Sequence, residues 1–327
     1  MTLNRETGRD RYFEARDEEL AALIDPDTGR LAERLARTID CPNCDSAHHR
    51  PLFEKQGFTF VRCEDCRLVF VNPQVREDVV LDEYRTAETN DLWLDVLTSE
   101  RQLAMDRAKF AEFLDELEPF RGEERRLLDV GCSIGLFLDL ARERGWSGLG
   151  IELAPRALAY ARETYGLQVL DVPLEEAGFA PESFDAVGLL SVLEHANEPR
   201  RMLTDCAKVL RPGGAIAIVV PNVDSLACRV LHEQARTFDG RNHLVYFSPS
   251  TLADMLGRCG FEPVRTWTKV SSLDPILEHL GHERPYSDAD LSSDPVLERL
   301  RDQLEPLVEQ LDLGYKLHCV AKRVERL

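Results

Sequence analysis

The spacing of apolar residues changes several times along the chain. Over 8–38, Leu20, Leu31 and Leu35 recur among charged residues at helical intervals, and DPDTG at 25–29 predicts a turn between them. Between 41 and 73 the apolar residues come instead in short runs, FTFVR and LVFV, which predict strands. Helical periodicity returns over 74–120. There QVREDVVLDEYR is followed by a stretch in which Leu103, Phe110, Phe113, Leu114 and Leu117 fall near a period of 3.6, and RGEER closes it as a turn. From 126 strands and helices alternate: RLLDV then IGLFLDLARERG, GLGIE then APRALAYARETYG, a short LQVLDV, then FDAVGLLSV and EPRRMLTDCAKVL, then RPGGAIAIVVPN. Pro155 sits in the first turn of its helix, and SPSTLADMLGRCGF carries a Ser248 cap, Pro249 at its start and Gly260 at its end. FEPVRTWTKV and GYKLHCVAKRV read as two late strands.

Repeated strand–helix units predict an α/β fold, a doubly wound, mostly parallel sheet with helices on both faces. The punctuation divides the chain into an N-terminal helical segment (1–40), a strand-rich module (41–73), a helical linker or lid (74–120) and an α/β domain (121–327). Within that domain an acidic, partly helical segment at 272–313 reads as an insertion, either a lid or an oligomer surface such as that of a homodimer. The sequence has 327 residues and 43 % hydrophobic ones, enough for a sizeable core. No stretch approaches the ~18 apolar residues of a membrane helix. The charged N-terminus MTLNRETGRDRYFEARDEEL has no secretory pattern, so a cytoplasmic protein without a membrane partner is expected. A formal net charge of −19 repels phosphate backbones and argues against nucleic acid as a partner. A small or cationic substrate, or one borne on a carrier, suits that charge.

Nine cysteines in a chain with no export signal argue against a disulfide framework. Four of them form two C-x2-C pairs, Cys41/Cys44 and Cys63/Cys66, separated by 18 residues that include FTFVR. This is the layout of a zinc ribbon, in which two knuckles each present two thiolates to one tetrahedral ion. Four thiolates leave no open coordination position, so the expected Zn2+ is structural. His48 and His49 are spare.

The turn after the first strand of the α/β region reads LLDVGCSIGLF. GCSIG fits the G-x-S-x-G elbow of a serine hydrolase, but no oxyanion-hole segment precedes Ser133 and the upstream chain is ribbon and helix. The dinucleotide fingerprint G-x-G-x-x-G is matched only at Gly131, with Ser133 and Leu136 in the other glycine places. A third reading joins Asp129 to Glu152, which closes the next strand 21 residues after Gly131. A carboxylate there can accept both vicinal hydroxyls of a ribose. A ligand with a ribose but no pyrophosphate demands less of the turn, and a small Ser133 is compatible with it.

DVGCSIG resembles the D-V-G-C-G-x-G signature of class I S-adenosylmethionine-dependent methyltransferases. The likeness spans about 127–270. LSVLEHANEPRRMLTDCAKVLRPGGAIAIVVPN and HLVYFSPSTLADMLGRCGF resemble two further segments of the small-molecule branch that includes the ubiquinone-type O-methyltransferases. A ribbon ahead of such a domain is similar to some natural-product and sugar methyltransferases. The resemblance implies a Rossmann-like seven-stranded sheet and S-adenosylmethionine as cofactor. It places Gly131, Cys132 and Gly135 along the methionine moiety, with Ser133 standing where the family has glycine, and Asp129 orienting the turn or reaching the amino group. Glu152 would hold the ribose, Leu153 would pack on the adenine, and Asp171 would bond the adenine amino group with Val172 beside it. Leu190 and Ser191 would face the sulfonium, and Tyr84 would belong to a lid.

Methyl transfer needs a positioned nucleophile and, for a hydroxyl acceptor, a base. The candidates are Glu194, His195 and His243. Some relatives instead hold a divalent metal with an E-x-x-E-H cluster. Here the cluster reads S-V-L-E-H, with Ser191 in the first glutamate's place, leaving Glu194, His195 and His243 as three ligands for a second metal. A non-catalytic cofactor- or partner-binding protein of the same fold is the rival outside enzymology.

Overall fold

The computed structural model describes residues 9–270, 273 and 295–324. The expected insertion at 272–313 therefore lies largely outside the described residues; the part within them forms a helix, Pro295–Gln310. Among the described residues no helix is long and apolar enough to cross a membrane.

The N-terminal region opens with α1 (Arg9–Ala21) and the predicted turn, in which Asp25 Oδ1 accepts from the Asp27 and Thr28 amides at 2.9 and 3.0 Å. Strand β1 (Ala36–Arg37) precedes the first cysteine knuckle, and β2 (His49–Lys55), β3 (Phe58–Cys63) and β4 (Val69–Val71) form an antiparallel meander around the second. β5 (Gln74–Val75) returns to pair with β1. Three helices follow: α2 (Glu77–Thr86), α3 (Thr89–Leu97) and α4 (Glu100–Leu117). The apolar face read from the sequence is the one that packs. Phe113, Leu114 and Leu117 of α4 are fully buried against Phe137, Trp146 and Val320.

The α/β region contributes β6 (Arg126–Val130), α5 (Leu136–Glu143), β7 (Ser147–Ile151), α6 (Pro155–Tyr165), β8 (Val169–Leu170), β9 (Phe184–Leu190), α7 (Pro199–Val209), β10 (Leu210–Pro221) and α8 (Leu226–Leu231). It continues with β11 (Val245–Tyr246), α9 (Pro249–Arg258), β12 (Phe261–Lys269), α10 (Pro295–Gln310) and β13 (Lys316–Arg323). Seven of these strands form one sheet in the order β12-β13-β10-β9-β6-β7-β8. Neighbours from β10 to β8 are parallel, and β13 runs antiparallel to both β10 and β12. The seven-stranded Rossmann-like sheet expected from the resemblance is thus present. Its winding reverses between β6 and β9, and a ligand site is expected beyond their carboxyl ends. α9 carries the predicted cap: Ser248 Oγ accepts from the Thr251 amide, and Thr251 Oγ1 accepts in return from the Ser248 amide.

β11 does not join this sheet. It pairs antiparallel with β4 and becomes the edge of the four-stranded ribbon sheet, β11-β4-β3-β2. One apolar cluster accordingly runs from Cys41, Cys63 and Phe70 of the ribbon to Val220, Phe247 and Met255 of the α/β region. The knuckle is also tied down by polar contacts. Asn43, fully buried, donates to Asp254 at 2.7 Å, and Arg200 reaches the Asn43 carbonyl at 2.9 Å and the Asp45 carboxylate at 2.8 Å.

Candidate active site

Beyond the carboxyl ends of β6, β7 and β9 lies a cavity of about 1100 Å³. Its cofactor end is built from the β6–α5 turn. Three of five consecutive residues there adopt left-handed backbone: Gly131 (φ 71), Ser133 (φ 50) and Gly135 (φ 80). A side chain on Gly131 would meet Val192 Cγ2 at 2.6 Å, and one on Gly135 would meet Leu167 Cδ1 at 2.5 Å. Glycine is therefore required twice, by conformation and by space. Ser133 occupies the same backbone region with a Cβ, a strained position worth of order 1 kcal/mol.

Glu152 follows β7 and closes the turn from the other side. Its Oε2 accepts from the Ser133 amide at 2.8 Å, and Oε1 accepts from the amides of Leu153 and Ala154, both at 2.7 Å. Burial raises its carboxyl above the usual range while these amides act in the opposite direction. Asp129, at the same level on β6, is 2 % exposed, and Oδ1 is buried with no hydrogen-bond partner among the described residues. The side chain fits because Gly188 opposes it on β9, where a Cβ would come within 2.6 Å of Oδ1. Burial, with Glu152 nearby, pushes the Asp129 carboxyl well above its ordinary value. A cationic donor is what such an acceptor calls for. The orphaned Asp129 oxygen, the glycine cradle and the second acid fit the ammonium, backbone and ribose of S-adenosylmethionine.

The opposite end of the cavity holds Glu194, His195 and His243. The first two lie just after β9, and His243 in the loop before β11. Ligand atoms of the three lie within 4.8 Å of one another. Glu194 is 1 % exposed and neither of its side-chain oxygens has a hydrogen bond among the described residues; His195 Nε2 stands 3.9 Å away. Burial raises the Glu194 carboxyl, opposed by Lys316 and His243. Burial, reinforced by His243, lowers the His195 imidazole to about 3, so it is neutral at physiological pH. The His243 ring stands edge-on to His195 with centroids 5.0 Å apart. His243 Nδ1 is 2.9 Å from the Thr237 carbonyl. A carbonyl only accepts, so Nδ1 carries the hydrogen and Nε2 the lone pair. The amides of Asn242 and His243 both donate to Asp239 Oδ1, at 2.9 and 3.1 Å, and fix the loop.

Away from the cavity, the four ribbon sulfurs also lie within 4.8 Å of one another. Cys41–Cys66 and Cys44–Cys63 are each 3.5 Å apart. A tetrahedron of Zn–S bonds near 2.3 Å spaces its sulfurs about 3.8 Å apart. The Cys66 amide also points at Cys63 Sγ, at 3.5 Å. This donor set fits the structural zinc expected from the sequence.

The cavity is lined by Asp129, Gly131, Cys132, Ser133, Glu152, Leu153, Leu190, Ser191, Glu194, His195, His243 and Tyr84. Gly135 lies behind the wall, shaping the turn. Asp171 is exposed, and neither it nor Val172 reaches the cavity, whose wall there is Pro173 and Leu174. Sequence reasoning placed a lid within 74–120 but gave no role to α1 as part of the cover. Tyr12 and Phe13 of α1 and Trp93 of α3 close the cavity, and Arg241, 3 % exposed, donates to Glu19 at 2.7 Å and Glu83 at 3.3 Å. The acidic positions in DEEL and LDEYR were the available signal, but nothing local joins them to Arg241. Ser133 Oγ makes no hydrogen bond to a histidine among the described residues, so no hydrolase dyad forms.

The switch-point cavity, the glycine turn and the paired acids define a class I S-adenosylmethionine-dependent methyltransferase. A family model described as "Methyltransferase domain" matches residues 100–266, and the chain belongs to that family. It is 30 % identical over 226 residues to the ubiquinone biosynthesis O-methyltransferase of Dinoroseobacter shibae, covering 65 % of this chain and 85 % of that one. It is 33 % identical over 129 residues to the protein of the same description from Paracidovorax citrulli, covering 37 % of this chain and 53 % of the relative, so it spans about half that relative's length. Among solved structures, a chain from the complex of the Haloferax volcanii Trm112 methyltransferase activator with a methyltransferase superposes with a TM-score of 0.53 at 17 % identity. That superposition covers 76 % of this chain and 99 % of that one, and it attests the fold.

Proposed function

We propose that the chain methylates a hydroxyl group of a small molecule, with His243 as general base. The observation that carries this reading is the Thr237 carbonyl on His243 Nδ1, which leaves Nε2 as the proton acceptor inside the cavity. S-adenosylmethionine, when bound, supplies a methyl carbon activated by a sulfonium leaving group. The chain's residues do the rest. Asp129 receives the ammonium, Gly131, Cys132 and Ser133 pass the methionine backbone, and Glu152 holds the ribose. Leu153, with Leu174, packs on the adenine rather than Asp171 and Val172, and Leu190 and Ser191 border the reacting centre. His243 Nε2 takes the proton from the acceptor oxygen as its new bond to carbon forms, and neutral His195 adds no competing positive charge. Tyr84, beside His195 at 6.3 Å between ring centroids, helps exclude water. The relatives named above as O-methyltransferases support oxygen as the acceptor atom over carbon or nitrogen.

In this reading residues 41–73 are a zinc-bearing module with one structural ion per chain, and 121–327 the methyltransferase domain. A second reading, a divalent metal on Glu194, His195 and His243, is favoured by their ligand atoms lying within 4.8 Å. Both are tested by measuring S-adenosylhomocysteine formation with a panel of soluble catechols and phenols. His243→Ala is expected to lose ~10²–10⁴-fold in turnover. Unchanged turnover would remove the base role, and turnover abolished by chelation at pH 7 with the ribbon zinc retained would favour the metal.

A further inference from the structure

Among the described residues the ribbon is hydrogen-bonded to one half of the active site only. Val71, the last residue of β4, donates its amide to the Leu244 carbonyl at 3.0 Å, and Gln74 Nε2 reaches the same oxygen at 3.5 Å. Val245 and Tyr246 then pair with Phe70 and Val69. Leu244 is the residue after His243. Its own amide donates to the Glu194 carbonyl at 2.8 Å, so the ribbon edge, the His243 loop and the Glu194–His195 turn form one hydrogen-bonded chain. Asn197 adds a second tie, donating to Gln74 Oε1 at 3.2 Å and to the Val75 carbonyl at 2.8 Å. From the new strand the Tyr246 hydroxyl turns back and donates to the His243 carbonyl at 2.7 Å while accepting from the Gly240 amide at 3.4 Å. Tyr246 is 1 % exposed and its ring packs on Phe60 of β3, centroids 5.5 Å apart. By contrast, among the described residues, no hydrogen bond joins 129–135 or 152–154 to the ribbon. Those residues bond to one another and to their own sheet.

We propose that the four-cysteine ribbon is the scaffold of the acceptor half of the active site, with Tyr246 as the positioning residue that transmits its order to His243. Its metal thereby governs where the base stands and leaves cofactor binding alone. This deepens the reading of His243 as base and rests on it. The physical reason is the marginal stability of β11: two residues of strand cannot hold a loop in place unless the partner strand is itself fixed. β4 is fixed by the meander that the cysteine knuckle closes.

The test uses the full chain, zinc-loaded and after removal of zinc by a thiol-reactive mercurial followed by dithiothreitol and chelator. It reads amide hydrogen exchange by mass spectrometry and S-adenosylhomocysteine binding by calorimetry. Removal of the metal is expected to speed exchange over 240–247 and 193–197 at least about tenfold, as expected for a locally opened unit. Protection over 127–154 should persist, and the S-adenosylhomocysteine Kd should move less than about threefold. Tyr246→Phe, which leaves the cysteines untouched, should speed exchange at 240–244 and lower kcat about fivefold, the worth of one hydrogen bond. The acceptor KM and the acid limb of the pH profile should stay in place. Unaltered exchange at 240–247 in both forms overturns the proposal. So does loss of cofactor binding in step with zinc, or a Tyr246→Phe enzyme with wild-type kcat. Full turnover by His243→Gln would instead overturn the base reading while leaving the exchange result standing.

Discussion

The two ends of the cavity are built on opposite principles. At the cofactor end, Gly131 to Gly135 and Glu152 lie on adjacent strands joined by one helix, and their partners are backbone amides nearby in the chain. At the acceptor end, His243 stands where it does because three segments hold its loop, one local and two distant: Thr237 and Asp239 nearby, Glu194 after β9, and the ribbon edge. Local construction lets the first end be closed by its own turn and strand ends. Long-range construction makes the second end specific to this chain.

The sharpest way to break that contrast is at Gly131. Gly131→Val combines a left-handed φ of 71 with a Cβ that meets Val192 at 2.6 Å. Strain and overpacking of this kind cost several kcal/mol, so S-adenosylhomocysteine binding should fall by more than ~100-fold. If the ends are independent, exchange protection at 240–247 should not change. Glu152→Gln keeps the shape and removes the charge from a carboxylate held by three amides, and should weaken S-adenosylhomocysteine binding about tenfold in calorimetry.

Two substitutions sharpen the comparison through pH, with opposite signs. Asp129 has its carboxyl raised by burial, so the folded chain holds a proton that the unfolded chain releases above its ordinary carboxyl range. Stability is lost as pH rises through that window. Asp129→Asn should therefore be more stable than wild type at pH 7 and lose that advantage near pH 3, while binding S-adenosylhomocysteine far less well. His318 is 1 % exposed, neither ring nitrogen has a hydrogen-bond partner among the described residues, and burial with Lys109 and Lys316 nearby lowers it to about 3. Here the unfolded state binds the extra proton between about 6.5 and 3, and stability is lost on acidification. His318→Phe, among Phe113 and Trp267, should gain over wild type progressively as pH falls from about 6.5 towards about 3 and least above pH 7 in denaturant titrations.

The smallest effect is expected at Ser133. Ser133→Gly relieves a positive φ of 50 and should stabilise the chain by up to about 1 kcal/mol, read as a small rise in Tm. A fall in Tm would show that the hydroxyl contributes more than the strain removes.

The same division explains what was legible before the structure. The strands and helices of the sheet follow from apolar period and Gly/Pro punctuation. The acid after the second strand and the two C-x2-C pairs are contiguous patterns. Ser133 was readable as a small residue, but its left-handed backbone was not, because φ depends on how the turn closes on Glu152. Asp171 illustrates the limit of transfer by position: the short β8 ends at Leu170, and the chain reaches the cavity wall only at Pro173. VYF before α9 carries no mark that it completes a sheet begun at residue 49. Strand pairing across the chain leaves no trace in local spacing. The α1 cover and its Arg241–Glu19–Glu83 contacts were hidden for the same reason.

The pairing of β11 with β4 has a consequence for how the protein comes into being. Gln74 and Leu244 are separated by 170 residues, and almost the whole parallel sheet is encoded between them. On the ribosome the two cysteine pairs emerge before the sheet and can come together while the ribbon sheet still lacks its fourth strand. That edge remains open until the segment carrying His243 has been made. The last step in completing the four-cysteine module is therefore also the step that sets His243 in the cavity, and a nascent chain stalled before residue 245 presents a ready template for any stray strand.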